Sequence, residues 1–146
     1  MKRSFILLIA ITVTGVVAGV GSAHATPRSG ALHVTKECSQ YDGTAGSFCT
    51  ITSSNLNAIK VGSRVVYAEA ADLDLLVLHS DLVIVGPGNN TAFGHVDLDL
   101  ETLTGIVTFW GGTGVFAHFR AGPLMVACPA FPACSWDGPY NFSPRG

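Results

Sequence analysis

Charged residues are scarce in this sequence, where Asp, Glu, Lys and Arg make up 12% of 146 residues. The eight Lys and Arg form no basic run, which argues against nucleic acid or an anionic membrane surface as a partner. Helical periodicity is hard to find after residue 26. The remaining sequence is rich in Gly, Ser, Thr and Asn, which suits a β-protein with short turns better than a helical one.

The N-terminus holds the one long apolar run. Lys2 and Arg3 precede an apolar stretch from Phe5 to Val20, and Ala23-His24-Ala25 supplies the small residues of a cleavage site. We therefore predict that residues 1–25 are a cleavable signal peptide and that the protein is secreted, to an extracellular or periplasmic space. A retained membrane anchor is the alternative, but the run falls short of the ~20 residues that a spanning helix needs.

Cleavage would change the charge and the membrane prediction. Six Lys and Arg would remain against ten Asp and Glu, which gives a mildly acidic domain with a net charge near −4. No second segment is long and apolar enough to span a membrane, so we predict no membrane association after cleavage.

The four cysteines lie in two close pairs, and four cysteines allow three pairings. We predict the bridges Cys38–Cys49 and Cys128–Cys134, because each would close a short loop between adjacent strands. A bridge of this kind stabilises a fold by about 2–3 kcal/mol. A four-cysteine metal site is the alternative, but the spacings lack C-x-x-C pairs and export leads to an oxidising space. We therefore predict no bound metal.

About eight strand patterns follow one another, separated by Gly, Pro, Asn and Asp. They lie at residues 32–36, 47–53, 64–70, 73–85, 91–100, 105–110, 115–126 and 134–142. In the clearest, at 91–100, Ala92, Gly94, Val96, Leu98 and Leu100 lie on one face, and the other face holds Thr91, Phe93, His95, Asp97 and Asp99. Eight strands with short connections can close into an antiparallel barrel or form a two-sheet sandwich, and the pattern leaves both open.

Four sequence motifs resemble a known family. They are FWGGTGVFAHFRAG at 109–122, NNTAFGH at 89–95, LDLET at 98–102 and SWDG at 135–138. They are similar to the barrel superfamily of plant allene oxide cyclases and dirigent proteins, and especially to bacterial secreted proteins with an allene-oxide-cyclase-like barrel. The resemblance implies that residues 31–143 form one all-β domain, an eight-stranded antiparallel, calycin-like barrel with a central cavity. It also implies a possible homo-oligomer, a dimer or trimer.

Tyr67 and Glu69 are the first candidate ligand-binding residues. They share a face of the predicted third strand, and an acid beside a phenol inside an apolar barrel could exchange protons, its pKa raised by burial. The alternative is a solvated Glu69.

Phe116, His118 and Arg120 form a second candidate set, because an unbroken strand would place them on one face. If Phe116 points inward, the Arg120 guanidinium could hold a ligand carboxylate. A bulge after the glycines, which would turn both polar groups outward, is the alternative. Trp110 could also line a cavity.

Two further patterns are typical of binding sites, one for a metal ion and one for phosphate, but we interpret both as structural. His95, Asp97 and Asp99 form a polar row that could bind a metal, but the solvent-exposed face of a half-buried strand is favoured. Gly111-Gly112-Thr113-Gly114 lacks the Lys and helix of a phosphate-binding loop.

These observations favour a secreted barrel that binds a small apolar ligand, a lipid or a phenolic, without a cofactor. This hypothesis requires a sizeable apolar interior. An isomerase similar to allene oxide cyclase is the second hypothesis, and it requires an acid such as Glu69 inside the cavity. An oligomeric surface or interaction module is the third.

Overall fold

The computed structural model describes residues 28–143, and the predicted signal peptide at 1–25 lies outside them. Eight strands follow in chain order: β1 (Ser29–Glu37), β2 (Phe48–Ser54), β3 (Arg64–Tyr67), β4 (Val77–Val85), β5 (Thr91–Asp99), β6 (Thr104–Gly112), β7 (Phe119–Ala130) and β8 (Ala133–Phe142). A short 3-10 helix, Gly114–Phe116, joins β6 to β7. Across the described residues, no helix has the length and apolar character needed to cross a membrane.

The sheet is a closed antiparallel barrel. Each strand pairs with its neighbour in the chain, and β8 pairs with β1 over nine residue pairs, from Ser29 with Asn141 to Glu37 with Ala133. Closure leaves no unpaired sheet edge. The barrel alternative is therefore confirmed over the sandwich, and the eight-strand prediction is confirmed with it.

Three predicted strands extend three or four residues beyond the observed ones. The strand predicted at 73–85 begins only at Val77, because Leu76 has a positive φ of 53° that interrupts the extended chain. The strand predicted at 64–70 ends at Tyr67. The strand predicted at 115–126 begins at Phe119, since the chain first forms the 3-10 helix.

The barrel has two ends of different character. At one, here called the disulfide end, lie the connections at 38–47, 68–76, 100–103 and 131–132, together with both disulfides, Cys38–Cys49 and Cys128–Cys134. The predicted pairing is thus confirmed, and each bridge joins neighbouring strands or their ends. At the opposite end, here called the N-terminal end, lie Arg28 and the connections at 55–63, 86–90 and 113–118.

Aromatic side chains fill the half of the interior toward the N-terminal end. Phe109 packs against Phe119 and Trp136 with ring centroids 5.7 and 5.4 Å apart, and Phe116 packs on Phe119 at 5.4 Å. All four are buried, and we call them the aromatic cluster. The glycine opposite Phe109 in the ladder, Gly94, makes room for it, because a Cβ there would lie 2.7 Å from a Phe109 ring carbon. The sizeable central cavity expected from a barrel is therefore absent from this half, and the cavity toward the disulfide end measures only about 40 Å³. The prediction of a sizeable apolar interior is therefore wrong.

Candidate functional site: a buried amine at the disulfide end

Lys36 lies inside the barrel. Leu32, Val34 and Lys36 on β1, and Cys38 directly after it, alternate with less buried residues. This period of two carries Lys36 into the core, with 4% of its surface exposed. Lysine is almost never buried without a partner. The sequence contains a signal for this position, since Lys36 has the same parity as Leu32, Val34 and Cys38.

The Lys36 amine contacts a phenol and an indole. Its Nζ lies 2.5 Å from the hydroxyl of Tyr67, which is the last residue of β3 and is also buried. The same nitrogen lies 4.5 Å from the Trp136 ring centroid, a cation–π arrangement. None of the ion pairs found within residues 28–143 includes Lys36.

Burial changes the acid–base behaviour of both groups. Removal from water disfavours the ammonium form and lowers the pKa of Lys36 to about 7. Burial raises the pKa of the Tyr67 phenol well above its ordinary value, with a smaller contribution from Tyr41. At neutral pH the site therefore combines a partly unprotonated amine with a neutral phenol, and a hydrogen bond joins the two groups.

A cavity of about 40 Å³ adjoins the Lys36–Tyr67 pair. Its wall is formed by both disulfides and by apolar side chains, and its outer rim by residues of the loops at the disulfide end: Leu100, Leu103 and Phe131. Leu100 and Leu103 are half-buried and Phe131 is 51% exposed, so the rim reaches the surface. Since a cavity of about 10–15 Å³ can hold one water, this volume admits a group of a few non-hydrogen atoms.

A second phenol lines this cavity. Tyr41 packs edge-on against Tyr67 with centroids 5.0 Å apart. Its hydroxyl is buried and has no hydrogen-bond partner among residues 28–143. An unpaired buried hydroxyl costs about 1–3 kcal/mol, so a polar group that entered the cavity would find an unfilled bonding site as well as the amine.

The predicted site residues do not come together. Tyr67 lines the cavity, whereas Phe116 belongs to the aromatic cluster. Glu69, His118, Arg120 and Trp110 all have exposed side chains. The alternatives of a solvated Glu69 and of outward His118 and Arg120 are thus confirmed, and the interior positions also considered for the four residues are wrong.

Each of these corrections has a physical reason. Glu69 lies beyond the end of β3, where its carboxylate accepts hydrogen bonds from the Ser80 hydroxyl and the Asp81 amide. The 3-10 helix breaks the strand that would have aligned Phe116 with Arg120, so that Phe119 sets the inward parity of β7. On β6 the inward parity belongs to Val107 and Phe109, which leaves Trp110 outside.

The row of His95, Asp97 and Asp99 lies on the outer face of β5, with Asp97 and Asp99 exposed and His95 half-buried. His95 bonds Asp81 at 2.9 Å and Asp97 at 3.3 Å, and His79 bonds Asp97 at 2.5 Å. Over residues 28–143, no group of three or more His, Cys, Asp or Glu is arranged to hold a metal ion. We call the hydrogen-bonded network of His79, Asp81, His95 and Asp97 the His–Asp ladder.

A wider depression of about 400 Å³ lies at the N-terminal end, lined among others by Arg28, Asn57, Lys60 and Phe142. It is an open groove, and the Lys60 amine that lines it is exposed and bonded to Asn57 at 2.9 Å. It thus lacks the buried, unpaired polar groups that distinguish the cavity at the disulfide end.

Comparisons with protein-family models, with curated proteins and with solved structures found no match to this chain. The barrel implied by the resemblance to allene oxide cyclases and dirigent proteins is confirmed by the strand order, but membership of that family is not shown.

Proposed function

We propose that this protein binds a small, largely apolar molecule, lipid-derived or phenolic, whose oxygen-bearing group enters the cavity beside Lys36 and Tyr67. The observation that carries the proposal is a buried amine bonded to a phenol, with no carboxylate from residues 28–143 paired to it, in a largely apolar cavity. Ligand sites commonly combine apolar walls with a few convergent polar groups.

The cost of burying Lys36 supports a functional role. A charged group moved from water into an apolar interior loses solvation that neither a phenol nor an indole fully replaces. A Met or Leu at this position would fill similar space without that cost. Strongly perturbed ionisable groups in cavities are characteristic of functional sites.

The size of the cavity limits the ligand. About 40 Å³ receives a carbonyl, carboxyl or hydroxyl group but not a whole lipid chain. The rest of the ligand would lie on the apolar rim of Leu100, Leu103 and Phe131. We therefore favour a molecule with one polar end and a compact apolar body.

An isomerase similar to allene oxide cyclase is less well supported. That hypothesis needs a buried acid, yet none of the ten Asp and Glu side chains, all of which lie within residues 28–143, is buried. Any proton transfer in the interior would have to use Lys36 and Tyr67. Kinship with that family remains a proposal supported by the barrel fold alone.

We also propose that the protein acts outside the cytoplasm and forms a dimer or trimer. Two disulfides fit an oxidising compartment. Ile106 and Met125 are ladder partners on β6 and β7, and both are substantially exposed, which offers an apolar patch on the outer face. Light scattering of the purified protein would test for a dimer or trimer. A monomer at all concentrations would contradict both the proposed oligomer and the hypothesis of an oligomeric interaction module.

Binding can be measured by fluorescence. The sequence has two tryptophans, and the Trp110→Phe variant leaves Trp136, which lies beside Lys36, as the reporter. Titration with 4-hydroxybenzyl alcohol and with octanoate should give a saturable change in Trp136 emission for at least one of them. Adding Lys36→Met should weaken that binding about tenfold or more, whereas Lys60→Met, at an exposed lysine, should leave it unchanged.

Two results would contradict the proposal. One is no saturable change with either probe. The other is equal affinity in the Lys36→Met variant, which would place the bound molecule elsewhere on the barrel.

A further inference from the structure

We propose that Lys36 captures a small aldehyde or unhindered ketone by forming an imine with its carbonyl carbon. This inference rests on the proposed function, because the carbonyl must enter the same cavity, and it adds a covalent bond that reversible binding does not require.

The surroundings of Lys36 leave its amine free to act as a nucleophile. Its polar contact is the Tyr67 hydroxyl, and no carboxylate within residues 28–143 pairs with it to hold the ammonium form. Burial brings the pKa of the amine to about 7, so a large fraction is unprotonated at neutral pH. Lysines activated for carbonyl chemistry are commonly desolvated in this way.

Tyr67 is placed to move the protons that the reaction requires. The Nζ lone pair attacks the carbonyl carbon, and the C–O π electrons move to oxygen. The phenol gives its proton to that oxygen and recovers one from the nitrogen, which leaves a neutral carbinolamine. The C–O bond then breaks, the oxygen leaves as water with a second proton from nitrogen, and the C=N double bond forms. Amine and carbonyl thus give imine and water, without oxidant or reductant.

The cavity stabilises the imine once it has formed, and it limits the size of the carbonyl compounds that can reach Lys36. Its apolar wall limits the water available to reverse the reaction, and the Trp136 ring, 4.5 Å from Nζ, can stabilise a protonated iminium. The small volume excludes bulky groups on both sides of the carbonyl, which favours aldehydes.

Two probes that differ only at one carbon separate covalent capture from binding. The purified protein is incubated at neutral pH with 4-hydroxybenzaldehyde or 4-hydroxybenzyl alcohol in the presence of sodium cyanoborohydride, which reduces an imine to a stable amine. Peptide mass mapping then locates the adduct. Lys60 is exposed and serves as the internal reference.

We expect the aldehyde to label Lys36 about tenfold or more faster than Lys60, and the alcohol to label neither. In denaturant the two lysines should react equally, which would show that the preference comes from the fold. Tyr67→Phe should slow the labelling of Lys36 by a larger factor than it weakens the binding of the alcohol, which the emission of Trp136 reports. Lys36→Met should remove the adduct at position 36 and leave that at Lys60 unchanged.

Equal labelling of Lys36 and Lys60 in the folded protein would overturn the proposal that Lys36 forms an imine. A lack of adduct while the alcohol still binds would also overturn it, but the proposed binding function would then stand. If neither binding nor an adduct is detected, both proposals fail. Unchanged labelling of Lys36 in Tyr67→Phe would remove the proton-transfer role of Tyr67.

Discussion

Lys36 and Tyr67 are in contact inside the barrel although a third strand lies between the strands that carry them. Lys36 belongs to β1 and Tyr67 to β3, and each strand pairs with β2 rather than with the other. The two side chains join inside the barrel, where Nζ lies 2.5 Å from the phenol oxygen, and the Sγ atom of Cys49 from β2 lies 3.7 Å from the same oxygen. A polar contact of this kind depends on barrel closure, since curvature brings alternate strands together on the concave side.

Replacing Lys36 by Met should stabilise the protein below neutral pH. The folded-state pKa of Lys36 is about 7 against an ordinary value of 10.5, so between these values the unfolded state binds the proton and the folded state does not. Stability of the wild type therefore rises with pH over this window, by up to about 1.4 kcal/mol per pH unit from this group, and the full penalty is present below pH 7. Lys36→Met lacks that penalty.

Urea denaturation of both proteins from pH 5 to pH 10 measures the difference. We expect Lys36→Met to be more stable by at least about 2 kcal/mol at pH 5, with the advantage shrinking above pH 7. The exposed Lys60→Met serves as the control and should show a small difference that does not depend on pH in this way. A pH-independent difference for Lys36→Met would mean that the amine is not buried.

The strand order and both disulfides were predictable because they rest on local signals. Alternation of apolar and polar residues and the Gly, Pro and Asn turns mark the strands, and the spacing of Cys38 from Cys49 fits a bridge between neighbouring strands. Which polar side chains point into the barrel and which point out was not predictable in the same way. A single turn of 3-10 helix changed the parity of β7, and therefore the side to which His118 and Arg120 point.

The filling of the interior also escaped prediction. Alternation along β6 and β8 places Phe109 and Trp136 on the inner face in the structure, but alternation does not tell how far their rings reach across a barrel. That distance depends on the small residue opposite, Gly94, and on which strands closure brings together. The sequence therefore indicated an interior but could not say that aromatic rings occupy most of it.

The two disulfides should differ in their contribution to stability. Cys38–Cys49 spans 11 residues and Cys128–Cys134 spans 6, and a longer loop gains more from closure. Replacing each pair by Ala should therefore lower the free energy of unfolding by about 3 kcal/mol for Cys38–Cys49 and about 2 kcal/mol for Cys128–Cys134. Thermal and urea unfolding check the order of the two, and the reverse order would show that strain or lost packing outweighs loop closure.

Truncation of a side chain in the aromatic cluster should lower the free energy of unfolding substantially. Phe109→Ala removes a buried ring between Phe119 and Trp136, and we expect a loss of about 3–5 kcal/mol. Phe93→Ala on β5 is the matched control, because Phe93 faces outward with 38% of its surface exposed and should lose less than about 1 kcal/mol. Similar losses in the two variants, measured by urea unfolding, would contradict the assigned core.

The His–Asp ladder should stabilise the barrel most in mildly acidic solution. The hydrogen bond to Asp81, with that to Asp97, raises the pKa of His95, so its contribution is complete below the ordinary value of 6.5 and is lost as pH rises through the folded-state value. The hydrogen bond from His79 lowers the pKa of Asp97, whose contribution is present above 3.8 and is lost as pH falls through its folded-state value. Both contributions are therefore complete between about pH 4 and pH 6.5.

The variants His95→Gln and Asp97→Asn test this window. The stability difference between wild type and His95→Gln should be largest near pH 5 and should shrink toward pH 8, whereas that for Asp97→Asn should vanish only in stronger acid. Both differences should be modest and should decrease in high salt, because the groups are solvent-exposed and screened. A difference for His95→Gln that grows with pH would show that His95 stabilises the barrel as a neutral hydrogen-bonding group rather than as a cation.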